Sequence, residues 1–313
     1  MTMLKRVISG AVLLVLALAF ILTGGKLLGV VCAVLSMTAY RELMRACKVE
    51  KWGKCGLLET AGYAGILLYY MIMILSGDFS WALASLVFIF LLQMAVYVFK
   101  FPGYQAQQVQ AAFFNVFYAC VPFSFVFLTR QLEHGIYLVW LIFVSSWVCD
   151  TCAYFAGVTL GKHKLAPVLS PKKSVEGAIG GVIGSIAVGV LFAWIFLVPV
   201  TGKTSMIWAV ACISGAGAVI SQIGDLAASA IKRNHDIKDY GKLIPGHGGI
   251  MDRFDSVLFT APIIYYLSVL FTSGCRPWKV THSAPISSLY FFRVSSSEPD
   301  PTTWKANLSS PSR

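Results

Sequence analysis

The sequence predicts an all-α fold, a polytopic integral membrane bundle of about nine transmembrane helices, and three observations carry that expectation. Hydrophobic residues make up 57% of the 313-residue chain and charged residues only 12%, with a mean hydropathy of +0.73, well outside the soluble range. Apolar runs of about 20 residues, the length that crosses a hydrocarbon core as a helix, recur with short polar loops between them. No strand-like alternation with turns appears, and unpaired backbone groups in lipid cost several kcal/mol each, so helices are the economical way to span.

The nine runs lie near residues 7–23, 27–46, 57–76, 80–99, 111–129, 135–156, 174–199, 206–223 and 252–272. The first follows Lys5 and Arg6 and contains Ala17-Leu18-Ala19, the outline of a signal peptide. Its apolar stretch continues through Phe20, Ile21 and Leu22, so the expectation is a retained first helix. Helices one to five hold almost no ionisable residue in their middles, and residues 1–134 read mainly as scaffold and lipid-facing wall. Residues 135–272 hold nearly all the suggestive polar chemistry, between Asp150 and Asp255, and read as the half that carries the site within a membrane domain over 1–272. From 273 to 313 the composition turns to Ser, Pro and Thr without apolar period, which reads as a disordered tail.

Basic residues set the orientation. With the N-terminus inside, most of the 25 Lys and Arg fall on cytoplasmic segments, whereas the outer loops between helices hold only Lys26, Arg130 and Lys203. The net charge of +11 is spread through these short loops, as the positive-inside bias alone produces, so nucleic acid is not expected as a partner. The eight cysteines show no paired framework, and Cys149-Asp150-Thr151-Cys152 has redox or zinc spacing without a second pair to complete four ligands.

A carboxylate within a span costs at least ~2.5–3.5 kcal/mol on insertion scales, so each is a functional candidate, and Asp150, Asp225, Asp252 and Asp255 stand out. Asp252 and Asp255 are three residues apart and share a helix face, where two carboxylates repel unless a cation or a proton intervenes. Oxygen ligands favour Mg²⁺ or Mn²⁺ over zinc, with a second cation left open. Ser221, Asp225, Ser229 and Lys232 fall on one helical stripe, the pattern of a helix that lines a water-filled cavity. Upstream, Ser170-Pro171-Lys172-Lys173-Ser174 stands immediately before a helix start and suits anion binding, because exposed N–H groups and the helix dipole add to two lysines. The glycines that follow, Gly177, Gly180, Gly181 and Gly184, fit either close helix packing or a substrate phosphate. Together the carboxylates and Lys172, Lys173, Lys232, Arg233, Lys238 and Arg253 describe a cytoplasmic-side site for phosphates with a bound metal. His247, flanked by Gly246, Gly248 and Gly249, sits in a tight turn where its ring contacts substrate, caps the last helix or acts as a base.

The stretch 229–255, "SAIKRNHDIKDYGKLIPGHGGIMDRFD", resembles the signature of the phosphatidate cytidylyltransferases, or CDP-diacylglycerol synthases. Its fixed elements fall here on Ser229, Lys232, Arg233, Lys238, Asp239, Gly241, Ile244, Pro245, His247, Gly248, Gly249, Asp252, Arg253 and Asp255. "MLKRVISGAVLL", "SSWVCDTCAYFAG", "GKHKLAPVLSPKKSVEG" and "SQIGDLAAS" are also similar to segments of that family, so the resemblance covers about residues 3 to 272 and excludes the tail.

The resemblance implies the reaction CTP plus phosphatidate giving CDP-diacylglycerol plus pyrophosphate, by metal-assisted attack of the lipid phosphate on the α-phosphorus. It implies Asp225 and Asp252 as metal ligands with Asp255 in support, and Lys232, Arg233, Lys238, Lys172 and Lys173 as phosphate-handling groups. Ser170, Asp150 and Arg253 complete the substrate-binding set, and His247 with Gly248 and Gly249 shapes the nucleotide turn. The implied partners are CTP, phosphatidate and the bilayer, with a homodimer left open. The implied location is the plasma membrane of a bacterium, multi-pass, with the N-terminus and the site on the cytoplasmic side. The competing readings are a transporter with a polar cytoplasmic-side cavity and another lipid phosphotransferase. A transporter would distribute carboxylates through the membrane depth in matched halves, whereas these cluster toward one face.

Overall fold

The computed structural model describes residues 3–49, 56–77, 79–244 and 248–272; His247 and the predicted tail lie outside the described residues. Nine helices correspond one for one to the nine apolar runs: α1 (Met3–Thr23), α2 (Gly25–Ala46), α3 (Leu57–Ser76), α4 (Phe79–Phe99), α5 (Ala106–Gln131), α6 (Gly135–Leu160), α7 (Val175–Thr201), α8 (Ser205–Asn234) and α9 (Met251–Thr272). Eight of them, α2 to α9, are long and apolar enough to cross a bilayer. The fold is an all-α polytopic bundle. Large apolar side chains such as Leu75, Phe99 and Trp208 stand outward, as a surface solvated by lipid tails requires.

Two features depart from a plain bundle. A two-stranded antiparallel hairpin, β1 (Lys164–Ala166) with β2 (Ser170–Ser174), interrupts the connection between α6 and α7. Its root is fastened by Glu176, whose carboxylate accepts the Lys162 and His163 N–H groups at 3.1 and 3.2 Å and meets His163 Nδ1 at 2.6 Å. Ser174 then caps α7 by accepting the Gly177 N–H at 3.1 Å. In addition, α8 runs to Asn234, eleven residues beyond the apolar run that predicted it, because its last three turns are amphipathic rather than apolar.

Packing follows from small residues and a few polar bridges. Gly180, Gly181 and Gly184 of α7 press against α6, where an added Cβ would meet Ala156, the Cys149 carbonyl and the Cys152 side chain. These three glycines therefore serve close helix approach, and of the two readings offered for them packing is the one the geometry supports. In the other half, Tyr70 of α3 lies 2.8 Å from Ser36 Oγ on α2 and donates to the Cys120 carbonyl on α5 at 3.1 Å, while Tyr69 meets Ser124 Oγ at 2.9 Å. Arg130 Nε donates to the Ile21 carbonyl at 3.0 Å, fixing the end of α1 against α5.

Replacing Gly181 by leucine puts a side chain where an added Cβ already approaches the Cys149 carbonyl at 2.9 Å and Ala153 Cβ at 3.0 Å. Such overpacking costs about 1–3 kcal/mol, and thermal unfolding of the purified variant in detergent is expected to register it as a lower midpoint; an unchanged midpoint would mean that α6 and α7 are not this close.

Candidate active site

Three helices and the hairpin bring five of the predicted residues to one cavity. β2 carries Ser170, Lys172 and Lys173, α6 carries Asp150, and α8 carries Asp225; together they line one cavity of about 650 Å³, whose floor is Gly177 of α7 and Gln222 of α8. Lys164, on β1, adds a third ammonium that the sequence reading did not single out. Lys173 Nζ forms an ion pair with Asp225 Oδ2, joining β2 to α8 across the cavity. Tyr154 and Val158 of α6 form an apolar lip to the same cavity, each about two-thirds exposed (67% and 68%).

Beside the cavity, α8 crosses α9. Lys232 and Asp225 are seven residues apart on α8 and so two turns apart on one stripe, as expected. Lys232 Nζ donates to Asp252 Oδ1 at 3.0 Å, with side-chain exposures of 15% and 4%. Asp252 Oδ2 accepts two backbone N–H groups, from Tyr240 at 2.8 Å and Gly249 at 3.0 Å. The Lys232 ammonium also lies 5.4 Å from the Tyr240 ring centroid, and Tyr240 Oη donates to the Ala228 carbonyl at 2.9 Å. Burial, with the neighbouring Tyr118, Asp252 and Asp255, holds the Tyr240 phenol well above its ordinary pKa, so it stays a donor. The connection from α8 to α9 is therefore folded back onto the bundle by one carboxylate.

Gly248 closes that connection, accepting the Ile244 N–H at 2.9 Å with φ +84, a conformation that glycine adopts without strain. An added Cβ there would run into Asp252. Asp255, one turn along α9, is buried, within reach of the charges of Asp225 and Asp150. Arg253 is exposed, and its charge reaches Asp150. Arg233 and Lys238 are exposed on the same stretch and do not line the cavity.

Among the described residues, no three His, Cys, Asp or Glu side chains close on a single ion position. The carboxylates are instead interleaved with ammonium groups, Asp225 with Lys173 and Asp252 with Lys232. The donor set is nevertheless all oxygen, and Asp150, Asp225 and Asp255 lie within reach of one another's charge, which a hard divalent cation would relieve. The residues present fit Mg²⁺ or Mn²⁺ on that chemistry.

One buried carboxylate escaped the sequence reading. Glu42 of α2 is buried and accepts the Ile250 and Met251 N–H groups, 208 and 209 residues away, at 3.0 and 2.9 Å. Its only local signal is a carboxylate toward the end of an apolar run, in "AYRELMRAC", and nothing in that spacing points at α9.

The match to known proteins is extensive. A sequence profile of the cytidylyltransferase family covers residues 4–271. A phosphatidate cytidylyltransferase of Bacillus subtilis (strain 168) is 30% identical over 277 residues, 86% of this chain and 99% of the relative. Proteins of the same name from Staphylococcus haemolyticus and Staphylococcus aureus (strain COL) are 30% identical over 268 and 266 residues, covering 84% of this chain and 98% of each relative.

Removing the Lys232 ammonium leaves Asp252 buried with an uncompensated charge. Lys232→Met is therefore expected to lower unfolding stability by more than the double variant Lys232→Met/Asp252→Asn, with a coupling of about 1–3 kcal/mol read from a double-mutant cycle in detergent; additive effects would show that the pair is not linked.

Proposed function

The chain belongs to the cytidylyltransferase family, and from that premise we propose that it is a phosphatidate cytidylyltransferase, converting CTP and phosphatidate to CDP-diacylglycerol and pyrophosphate. The observation that carries this reading is the cavity in which Lys164, Lys172 and Lys173 face Asp150 and Asp225, next to the Lys232–Asp252 pair and beside an apolar lip. A lipid phosphate and a nucleotide triphosphate both need concentrated positive charge, and only a lipid also needs the lip.

In this reaction a phosphate oxygen of phosphatidate attacks the α-phosphorus of CTP, and the bond to the β-phosphate oxygen breaks. The attacking phosphate is anionic at neutral pH, so no strong general base is required, which agrees with a cavity lined, among the described residues, by lysines and carboxylates and no histidine. Lys172, Lys173 and Ser170 bind and orient the phosphates from the hairpin, while Lys232, with Arg233, Lys238 and Arg253 nearer water, offsets charge on the departing pyrophosphate. Asp225 and Asp252 would hold Mg²⁺ or Mn²⁺, with Asp255 behind them. When bound, such an ion neutralises and aligns the phosphate oxygens. Gly248, Gly249 and His247 belong to the turn that takes the nucleotide.

The positive-inside bias supports an N-terminus in the cytoplasm and a site on that face, where CTP is available. The bacterial relatives support the plasma membrane as its location. A transporter is disfavoured because the charged groups gather at the hairpin and the α8–α9 crossing rather than along a path through the bundle.

Purified protein in mixed micelles is expected to convert labelled CTP and phosphatidate to CDP-diacylglycerol only when Mg²⁺ or Mn²⁺ is supplied, and Asp252→Asn to lose roughly two orders of magnitude in turnover. Full activity in that variant, or an inactive but folded parent, would sink the reading. Because the family match ends at residue 271, a chain cut after Ser273 should keep its turnover; a folded truncation without activity would assign the tail a part in catalysis.

A further inference from the structure

We propose that Glu42, a residue of the half that otherwise reads as scaffold, is a positioning residue for the backbone that receives the nucleotide, a role that rests on the reaction given above. Its carboxylate is 5% exposed and uses both oxygens, Oε1 on the Ile250 N–H and Oε2 on the Met251 N–H. These amides open α9, where no earlier turn supplies acceptors and where the helix dipole favours an anion. Asp252 takes the preceding amide, that of Gly249. Three consecutive N–H groups are thus divided between two carboxylates, one from α9 itself and one from α2.

The path of the chain before α9 is shaped around the same group. A Cβ added to Gly241 or to Gly249 would overlap the Glu42 carboxylate. Both glycines are fixed elements of the family signature quoted above, and their smallness here has a specific physical cause: the backbone passes directly over a buried carboxylate from another helix. The charge itself is balanced in part by Arg45 of α2 and opposed by Asp252. A carboxylate buried this deeply is tolerated only where strong donors satisfy it, and these donors are the backbone of the turn. Displacing Glu42 therefore moves Gly249 and the first turn of α9 together, and with them Asp252 and its contact to Lys232.

A cap that served the helix alone and a group that sets the nucleotide turn differ in what their loss does to the two substrates. Glu42→Gln keeps the size of the side chain but turns an N–H toward one of the two amides. Initial rates of the purified full chain, varied separately in CTP and in phosphatidate, are expected to show KM for CTP raised roughly ten- to a hundredfold, with KM for phosphatidate close to the parent's. Gly249→Ala, which crowds the carboxylate without removing it, is expected to raise KM for CTP in the same selective way and keeps the test available should Glu42→Gln fail to fold. A lower unfolding midpoint with both KM values at parent level would reduce Glu42 to a helix cap and overturn the proposal. An active parent whose Glu42→Gln and Gly249→Ala variants keep their KM for CTP overturns it while leaving the reaction standing; an inactive parent overturns both.

Discussion

The ion pair between Lys232 and Asp252 is the interaction on which the polar end of this bundle depends. Either group alone, buried between α8 and α9, would cost several kcal/mol, and the pair is acceptable because the second oxygen of the carboxylate is satisfied by two backbone amides. The two backbone amides it holds come from positions nine residues apart in the α8–α9 connection, Tyr240 and Gly249. That carboxylate thereby ties the connection down, and together with Glu42 it sets where α9 begins.

The second ion pair differs in kind. Lys173 and Asp225 are each about a quarter exposed (26% and 27%), so water and salt screen their attraction and little stability depends on it. A buried pair stands beside the cavity, and a partly exposed pair spans it. The exposed pair joins the hairpin to α8, so an incoming phosphate can draw Lys173 away from Asp225 at small cost, whereas Lys232 cannot leave Asp252 without exposing a buried charge.

The helices were legible because lipid imposes one simple rule, about 20 apolar residues per crossing, and all nine runs became helices. The same rule fails where a helix leaves the hydrocarbon, and so the polar continuation of α8 through Lys232 was placed only by its stripe of Ser221, Asp225 and Ser229. The hairpin was not legible: Pro167, Pro171 and a run of lysines argue for a loop, and the Glu176 carboxylate that fastens its root lies beyond the strands themselves. Within the site, Asp150, Ser170, Lys172, Lys173 and Asp225 were read from local composition and meet in one cavity. Glu42 was not, since its meaning lies in two amides on a helix more than two hundred residues away, and a single sequence carries no trace of that pairing.

The apolar lip formed by Tyr154 and Val158 gives the cavity two doors with different solvents outside them. On the proposed reaction one product is a lipid and the other a small, highly charged anion. The first leaves sideways into the bilayer, and the second leaves past the lysines into water. Neither product need cross the other's path, and neither can return by the wrong door, so the partition between oil and water does the sorting that a gate would otherwise have to do.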